Sequence, residues 1–198
     1  MELGRSMSHN TIEENKRRLP LDHLESVWLF GYGSLIYKAD FPYLQRRPAR
    51  IHGWQRRFWQ GSHDHRGTPE NPGRVATLIA AENETCVGMA YEVTPDVFAH
   101  LDHREKNGYL RFFTTFEWLD HQEDQQVEGL VYVAGPDNEA FLGPASEVDI
   151  AEHIARSEGP SGPNPEYLLK LAEALRELEA DDPHVFRIEQ ELNKILQR

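Results

Sequence analysis

The sequence has one cysteine, Cys86, in 198 residues. A single thiol closes no intramolecular disulfide, so packing must hold the fold, and the usage suits a reducing cytoplasm. No apolar run approaches the roughly 20 residues that cross a bilayer as a helix, so no membrane span is expected. Residues 1–26 lack the apolar stretch of a secretory signal and read as a disordered or appended leader. Positive charge is short: 21 Lys and Arg stand against 33 Asp and Glu, a net charge of −12. That argues against nucleic acid as a partner, because neutralising phosphates takes a basic face.

Several catalytic signatures are missing as well. Gly31-x-Gly33 has neither the third glycine nor the helix of a dinucleotide fingerprint, since Leu35-Ile36-Tyr37-Lys38 follows and Pro42 intervenes. Ser34 follows a strand but lacks the Gly-x-Ser-x-Gly elbow. Cys86 sits mid-strand with no adjacent base. There is no HExxH spacing and no cysteine pair, so His63 and His65 read as loop hydrogen-bonding groups more readily than as metal ligands, even with His100, His103 or His121 in support.

What is present is enough for a real core: nine Phe, seven Tyr and four Trp in one domain over residues 27–198. The chain is organised around Phe30-Gly31-Tyr32-Gly33-Ser34-Leu35. Apolar residues 27–30 read as a strand that runs into a glycine turn. Its two glycines can take φ > 0 or admit a close neighbour, and its successive amides can face one anion. Residues 51–60 form the next expected strand, and 61–73 a long loop. Residues 74–80 and 85–93 read as a hairpin turning at Glu82-Asn83-Glu84.

A helix capped by Thr94 and Pro95 should bury Val97, Phe98 and Leu101 and stop near Asn107-Gly108. Glu105 then falls in its last turn or just past it. Strands are expected over 109–119 and 126–134, and helices over 146–157, from Asn164-Pro165, and from Asp182-Pro183. Strands first and helices mostly last is an α+β order.

Two charge features stand out. Arg46, Arg47, Arg50, Arg56 and Arg57 lie in a stretch with no acid, which suits a small anionic ligand or a solvated strand face. Asp102-His103-Arg104-Glu105-Lys106 sits between an amphipathic helix and an aromatic strand. A carboxylate pressed there has its pKa raised by desolvation and becomes a proton carrier near neutral pH.

These blocks resemble a family. Phe30-Gly-Tyr-Gly-Ser-Leu35, Arg57-Phe-Trp-Gln-Gly61, Asp64-His-Arg-Gly67, Pro72-Gly-Arg-Val75, Arg104-Glu-Lys-x-Gly-Tyr109, Phe141-Leu-Gly-Pro144, and Gly159-Pro-Ser-Gly162 with Glu166-Tyr-Leu168 are similar, in order, to the ChaC family of glutathione-specific γ-glutamylcyclotransferases. Asn107, where glycine is common, and Phe141, where tyrosine is, are departures that leave the chemistry alone.

The resemblance implies a mixed β-barrel with flanking helices, C-terminal helices packed on the outside, no cofactor and no metal. It implies a cytoplasmic enzyme that is a monomer and whose partner is the small molecule glutathione. The substrate's own α-amine would attack its γ-carbonyl, giving 5-oxoproline and Cys-Gly, with Glu105 matching the catalytic glutamate. Leu29, Phe30, Gly31, Tyr32, Gly33, Ser34 and Leu35 would bind the γ-glutamyl group. Arg74 is the first candidate for a basic neighbour and the Arg56–Arg57 pair the second. Tyr132 and Ser161 are candidate hydroxyls. Other γ-glutamyl amino acids or amines as substrates, and a non-catalytic γ-glutamyl-peptide binding module, stay open alternatives.

Overall fold

The computed structural model describes residues 10–106, 108–120 and 126–198. Asn107 and His121, both named above, lie outside them, as do residues 1–9 of the expected leader. Five strands, β1 (Val27–Gly31), β2 (Gln45–Ser62), β3 (Gly73–Val93), β4 (Tyr109–Trp118) and β5 (Gln126–Ala134), form a closed barrel in the order β1-β3-β2-β4-β5. Neighbours are antiparallel except at the seam, where β1 meets β5 in parallel at Leu29↔Leu130. Leu29, Phe30, Ile51, Phe58, Tyr91, Phe116 and Leu130 are buried in the core. Burial alternates in parts of β2, as at Ala49, Ile51, Arg56, Phe58 and Gln60, whereas β5 is buried at every position from Gly129 to Ala134, with both of its faces covered.

Helices α1 (Ile12–Arg18) and α2 (Val97–Arg104) pack at one end. The helices α3 (Glu147–Ala155), α4 (Asn164–Glu177) and α5 (Pro183–Leu196) pack on one another and against β2 and β3. Ser146 and Asp182 cap α3 and α5 by accepting from the amides of Asp149 and Val185. A two-residue ribbon, β6 (Glu158–Gly159) with β7 (Gly162–Pro163), leads into α4. Among the described residues no helix is long and apolar enough to cross a membrane.

Four expectations are corrected. Residues 74–93 are not a hairpin. They belong to one strand, β3, that pairs with β2 along most of its length. Glu82-Asn83-Glu84 bulges that strand instead of reversing it: pairing steps from His52↔Thr85 to Trp54↔Ala80, with Gly53 at φ 82° and Asn83 at φ 65°. Strand β2 starts at Gln45, not residue 51, because its outward residues are arginines that mask the alternation. The leader is not wholly without structure, since residues 12–18 form α1 and Thr11 and Asn15 are buried. At α2 the N-cap is Asp96; Thr94 instead hydrogen-bonds to the Asp96 carboxylate.

Candidate active site

Strand β1 ends at Gly31, and a single 3-10 turn (Ser34–Ile36) follows Gly33. Neither glycine takes a positive φ; Gly33 lies at φ −125°, ψ −127°. They are needed for space. A Cβ on Gly31 would stand 2.7 Å from Leu35 Cβ, and one on Gly33 2.6 Å from the Tyr167 hydroxyl. The amides of Gly33, Ser34 and Leu35 make no hydrogen bond to the described residues, while the Gly33 and Ser34 carbonyls accept from Ile36, Tyr37 and Lys38. A short run of amides is thus left as donors.

These residues wall a cavity of about 530 Å³. Glu105 lines the same cavity, as the residue that ends α2, with its amide on the Leu101 carbonyl at 2.9 Å. Burial pushes the Glu105 carboxyl up to about 7; the Arg104 guanidinium pulls it down, and Asp64 and Asp40 push it further up. Arg104 ties the two halves together. Its Nη2 donates to Ser34 Oγ at 3.0 Å, Nη1 to Asp40 at 2.6 Å, and Nε stands 3.7 Å from Glu105.

The wall is otherwise rich in tyrosine. Tyr32 donates its hydroxyl to the Tyr132 carbonyl at 2.6 Å. The Tyr167 hydroxyl accepts from the Ala76 amide at 3.2 Å, which leaves its own proton to donate. The Tyr37 hydroxyl is buried with no hydrogen-bond partner among the described residues. Tyr109 also lines the cavity, and burial and the nearby Glu105 hold its phenol well above the usual range. A desolvated carboxyl near neutrality, facing free amides and phenol donors, can carry a proton beside a carbonyl whose oxygen gains charge.

The candidates from sequence divide. Tyr32, Gly33, Ser34, Leu35, Glu105 and Ser161 line the cavity; Leu29, Phe30 and Gly31 sit in the barrel core behind it. Ser161 pairs with His65, Oγ to Nδ1, at 3.1 Å. Tyr132 does not reach the cavity lining: its hydroxyl donates to Asp102 of α2 at 2.5 Å.

Arg74 is also displaced. The β2–β3 register slips between Arg57 and Gln60, and the slip strands the polar groups of Phe58 and Trp59. Arg74 Nη1 donates to the Phe58 carbonyl and to the Gly143 carbonyl, both at 3.0 Å. The Phe58 amide donates to His184 Nε2 at 3.0 Å, and the Trp59 carbonyl accepts from Leu142 and Gly143. Arg74 is thus a strut for a bulge.

The arginine stretch is not an open basic patch either. Arg47 pairs with Asp120, Arg50 with Glu117 and Arg56 with Asp182, and Arg57 folds back on the Arg56 carbonyl. Arg56 is buried and supports the glycine loop from behind, donating Nε to the Tyr32 carbonyl at 2.7 Å.

Sequence reasoning missed Tyr37, Tyr109 and Tyr167 as wall residues. Tyr109 and Tyr167 lie inside the blocks that carried the resemblance, which was their available signal. His63, Asp64 and His65 stand at the cavity wall, and no group of three or more His, Cys, Asp or Glu among the described residues is placed to hold a metal ion.

A family model described as ChaC-like protein matches residues 27–195. Gamma-glutamylcyclotransferase 2-3 of Arabidopsis thaliana is 45% identical over 184 residues, covering 86% of this chain and 90% of that protein. Glutathione-specific gamma-glutamylcyclotransferase 1 of Danio rerio is 45% identical over 172 residues, covering 83% and 87%. The crystal structure of the yeast γ-glutamylcyclotransferase specific to glutathione superposes with a TM-score of 0.79 at 34% identity, covering 86% of this chain and 97% of that one.

Proposed function

The chain belongs to the ChaC-like protein family, and on that premise we propose that it is a γ-glutamylcyclotransferase that cleaves glutathione to 5-oxoproline and Cys-Gly with Glu105 as the proton carrier. The substrate brings its own nucleophile, so the protein needs none. The γ-glutamyl group must fold back until its α-amine meets its γ-carbonyl carbon, which is a problem of orientation. Glu105 accepts the proton that the α-ammonium gives up. The amine attacks, a carbon–nitrogen bond forms in a five-membered ring, and the carbonyl oxygen takes on negative charge. The bond to the cysteine nitrogen then breaks, Glu105 returns its proton to the departing amine, and the second proton that the ring nitrogen sheds completes the ammonium of Cys-Gly. No water is consumed.

The free amides of Gly33, Ser34 and Leu35 suit the charged oxygen or the substrate α-carboxylate. The observation that carries the reading is the Glu105 carboxyl, raised to about 7 in the cavity those amides share. Glu105→Gln keeps the shape and removes the shuttle. A fall in kcat of about 10²-fold or more is expected, with the circular dichroism spectrum unchanged. Normal turnover by that variant sinks the assignment. Release of 5-oxoproline from glutathione but not from γ-glutamyl-alanine is the expected substrate preference, and bound but uncleaved glutathione would mark a binding module instead.

We also take the protein to be a cytoplasmic monomer of one domain over residues 27–198. The buried, unpaired Cys86 supports the reducing compartment. Light scattering at micromolar concentration tests the monomer.

A further inference from the structure

We infer that residues 10–19, ahead of the family-matched region, form a positioning strap in which Thr11 and Asn15 hold the backbone that carries Glu105; this rests on Glu105 being the proton carrier. Both side chains are buried, at 1% and 0% exposure, although neither is apolar. Buried polar groups of this kind are costly unless paired, and both are paired with one short segment.

The Thr11 amide donates to the Lys106 carbonyl at 3.0 Å. Its hydroxyl stands 3.1 Å from the same carbonyl and 3.4 Å from that of Glu105. One helical turn on, Asn15 Nδ2 donates to the Tyr109 carbonyl at 3.0 Å, and Asn15 Oδ1 accepts from the Arg111 amide at 2.9 Å. The Asn15 carbonyl accepts from Arg111 Nη2 at 3.0 Å.

The need for such a strap follows from topology. The end of α2 leaves carbonyls without helical partners. Beyond it, β4 pairs with β5 from Tyr109 onward, but its other edge meets β2 only at Phe116, Glu117 and Trp118. The edge at Tyr109 and Arg111 is therefore open, and Asn15 closes it as a strand would, with one donor and one acceptor. Between the helix end and that edge the chain delivers two cavity side chains, Glu105 and Tyr109. Six contacts from Thr11 and Asn15 bracket them. Loss of the bracket leaves the glycine loop and the rest of the cavity wall intact but lets the carboxylate drift from the reacting nitrogen.

The test uses the full chain with Asn15→Leu and Thr11→Val. Asn15→Leu is expected to lower kcat about 10- to 100-fold, the scale of a small misplacement of a catalytic group, with KM for glutathione little changed. The pH midpoint of kcat/KM should shift, and amide exchange in 105–111 should quicken. Thr11→Val should show a smaller fall in the same direction, and Thr11→Ser should restore it. Wild-type kcat and midpoint in a folded Asn15→Leu variant overturn the proposal; if that variant does not fold, the same result in Thr11→Val does so. Glu105→Gln, assayed alongside, separates the two claims. Turnover by it removes the catalytic premise, while the exchange rates of 105–111 still report whether the strap holds the turn.

Discussion

At Glu105 the decisive quantity is the competition between burial and Arg104. Burial wins, and the carboxyl rises to about 7. The proposed role as base requires the ionised form, so kcat/KM should climb from pH 6 to pH 8 with a midpoint near that value, read in a pH series with glutathione. Arg104→Gln removes the cation that holds the carboxyl down, and the midpoint should move to higher pH. The same shift acts on stability. A carboxyl whose pKa is raised by folding binds a proton in the native state between about 4.5 and 7 when the unfolded chain has lost it. Its contribution is therefore favourable at low pH and fades as pH rises through that window. Glu105→Gln carries no such loss. The variant should gain stability relative to wild type at pH 8, by something on the order of 1–3 kcal/mol in urea unfolding, and show little of that gain at pH 4.5.

Among the elements, β2 shows how one irregularity recruits distant residues. The slip at Phe58 and Trp59 leaves amides and carbonyls without ladder partners, and Arg74, His184, Leu142 and Gly143 supply them. His184 accepts at Nε2, so it works as the neutral ring, and burial lowers its pKa accordingly. Arg74→Leu should cost roughly 1–3 kcal/mol, the range for stranding buried acceptors, measured as a lower urea midpoint. KM for glutathione should hardly move, because Arg74 faces the bulge and not the cavity. A large rise in KM with unchanged stability would return Arg74 to the substrate.

For the molecule as a whole, closure is what brings the two halves of the cavity together. The seam is the parallel contact of Leu29 with Leu130, and beside it Gly129 lets three strands meet. A Cβ there would lie 2.5 Å from Phe116 Cζ and 2.8 Å from the Trp28 carbonyl. Gly129→Ala should therefore cost about 1–3 kcal/mol as overpacking, seen in a thermal melt that keeps one transition. A melt that splits in two would show that the barrel does not unfold as a unit.

The amino-acid sequence by itself determined the α+β order, most of the strands in outline, the helices opening at Ser146 and Asp182, and the placing of Glu105 at a helix end. Those rest on periodicity, caps and local residue chemistry, which act over a few positions. The tertiary structure alone decided where long side chains go. Arg74 and Tyr132 are polar residues on apolar strands, and whether such a group faces a ligand or a stranded carbonyl depends on partners about 16 to 70 positions away. The length of β2 and β3 was hidden for a related reason: a residue with φ > 0 reads locally as a turn, and only cross-strand pairing makes it a bulge. The placing of α1 against the Glu105 turn likewise depends on Thr11 and Asn15 meeting backbone groups 94 to 96 residues later, a distance over which no local pattern speaks.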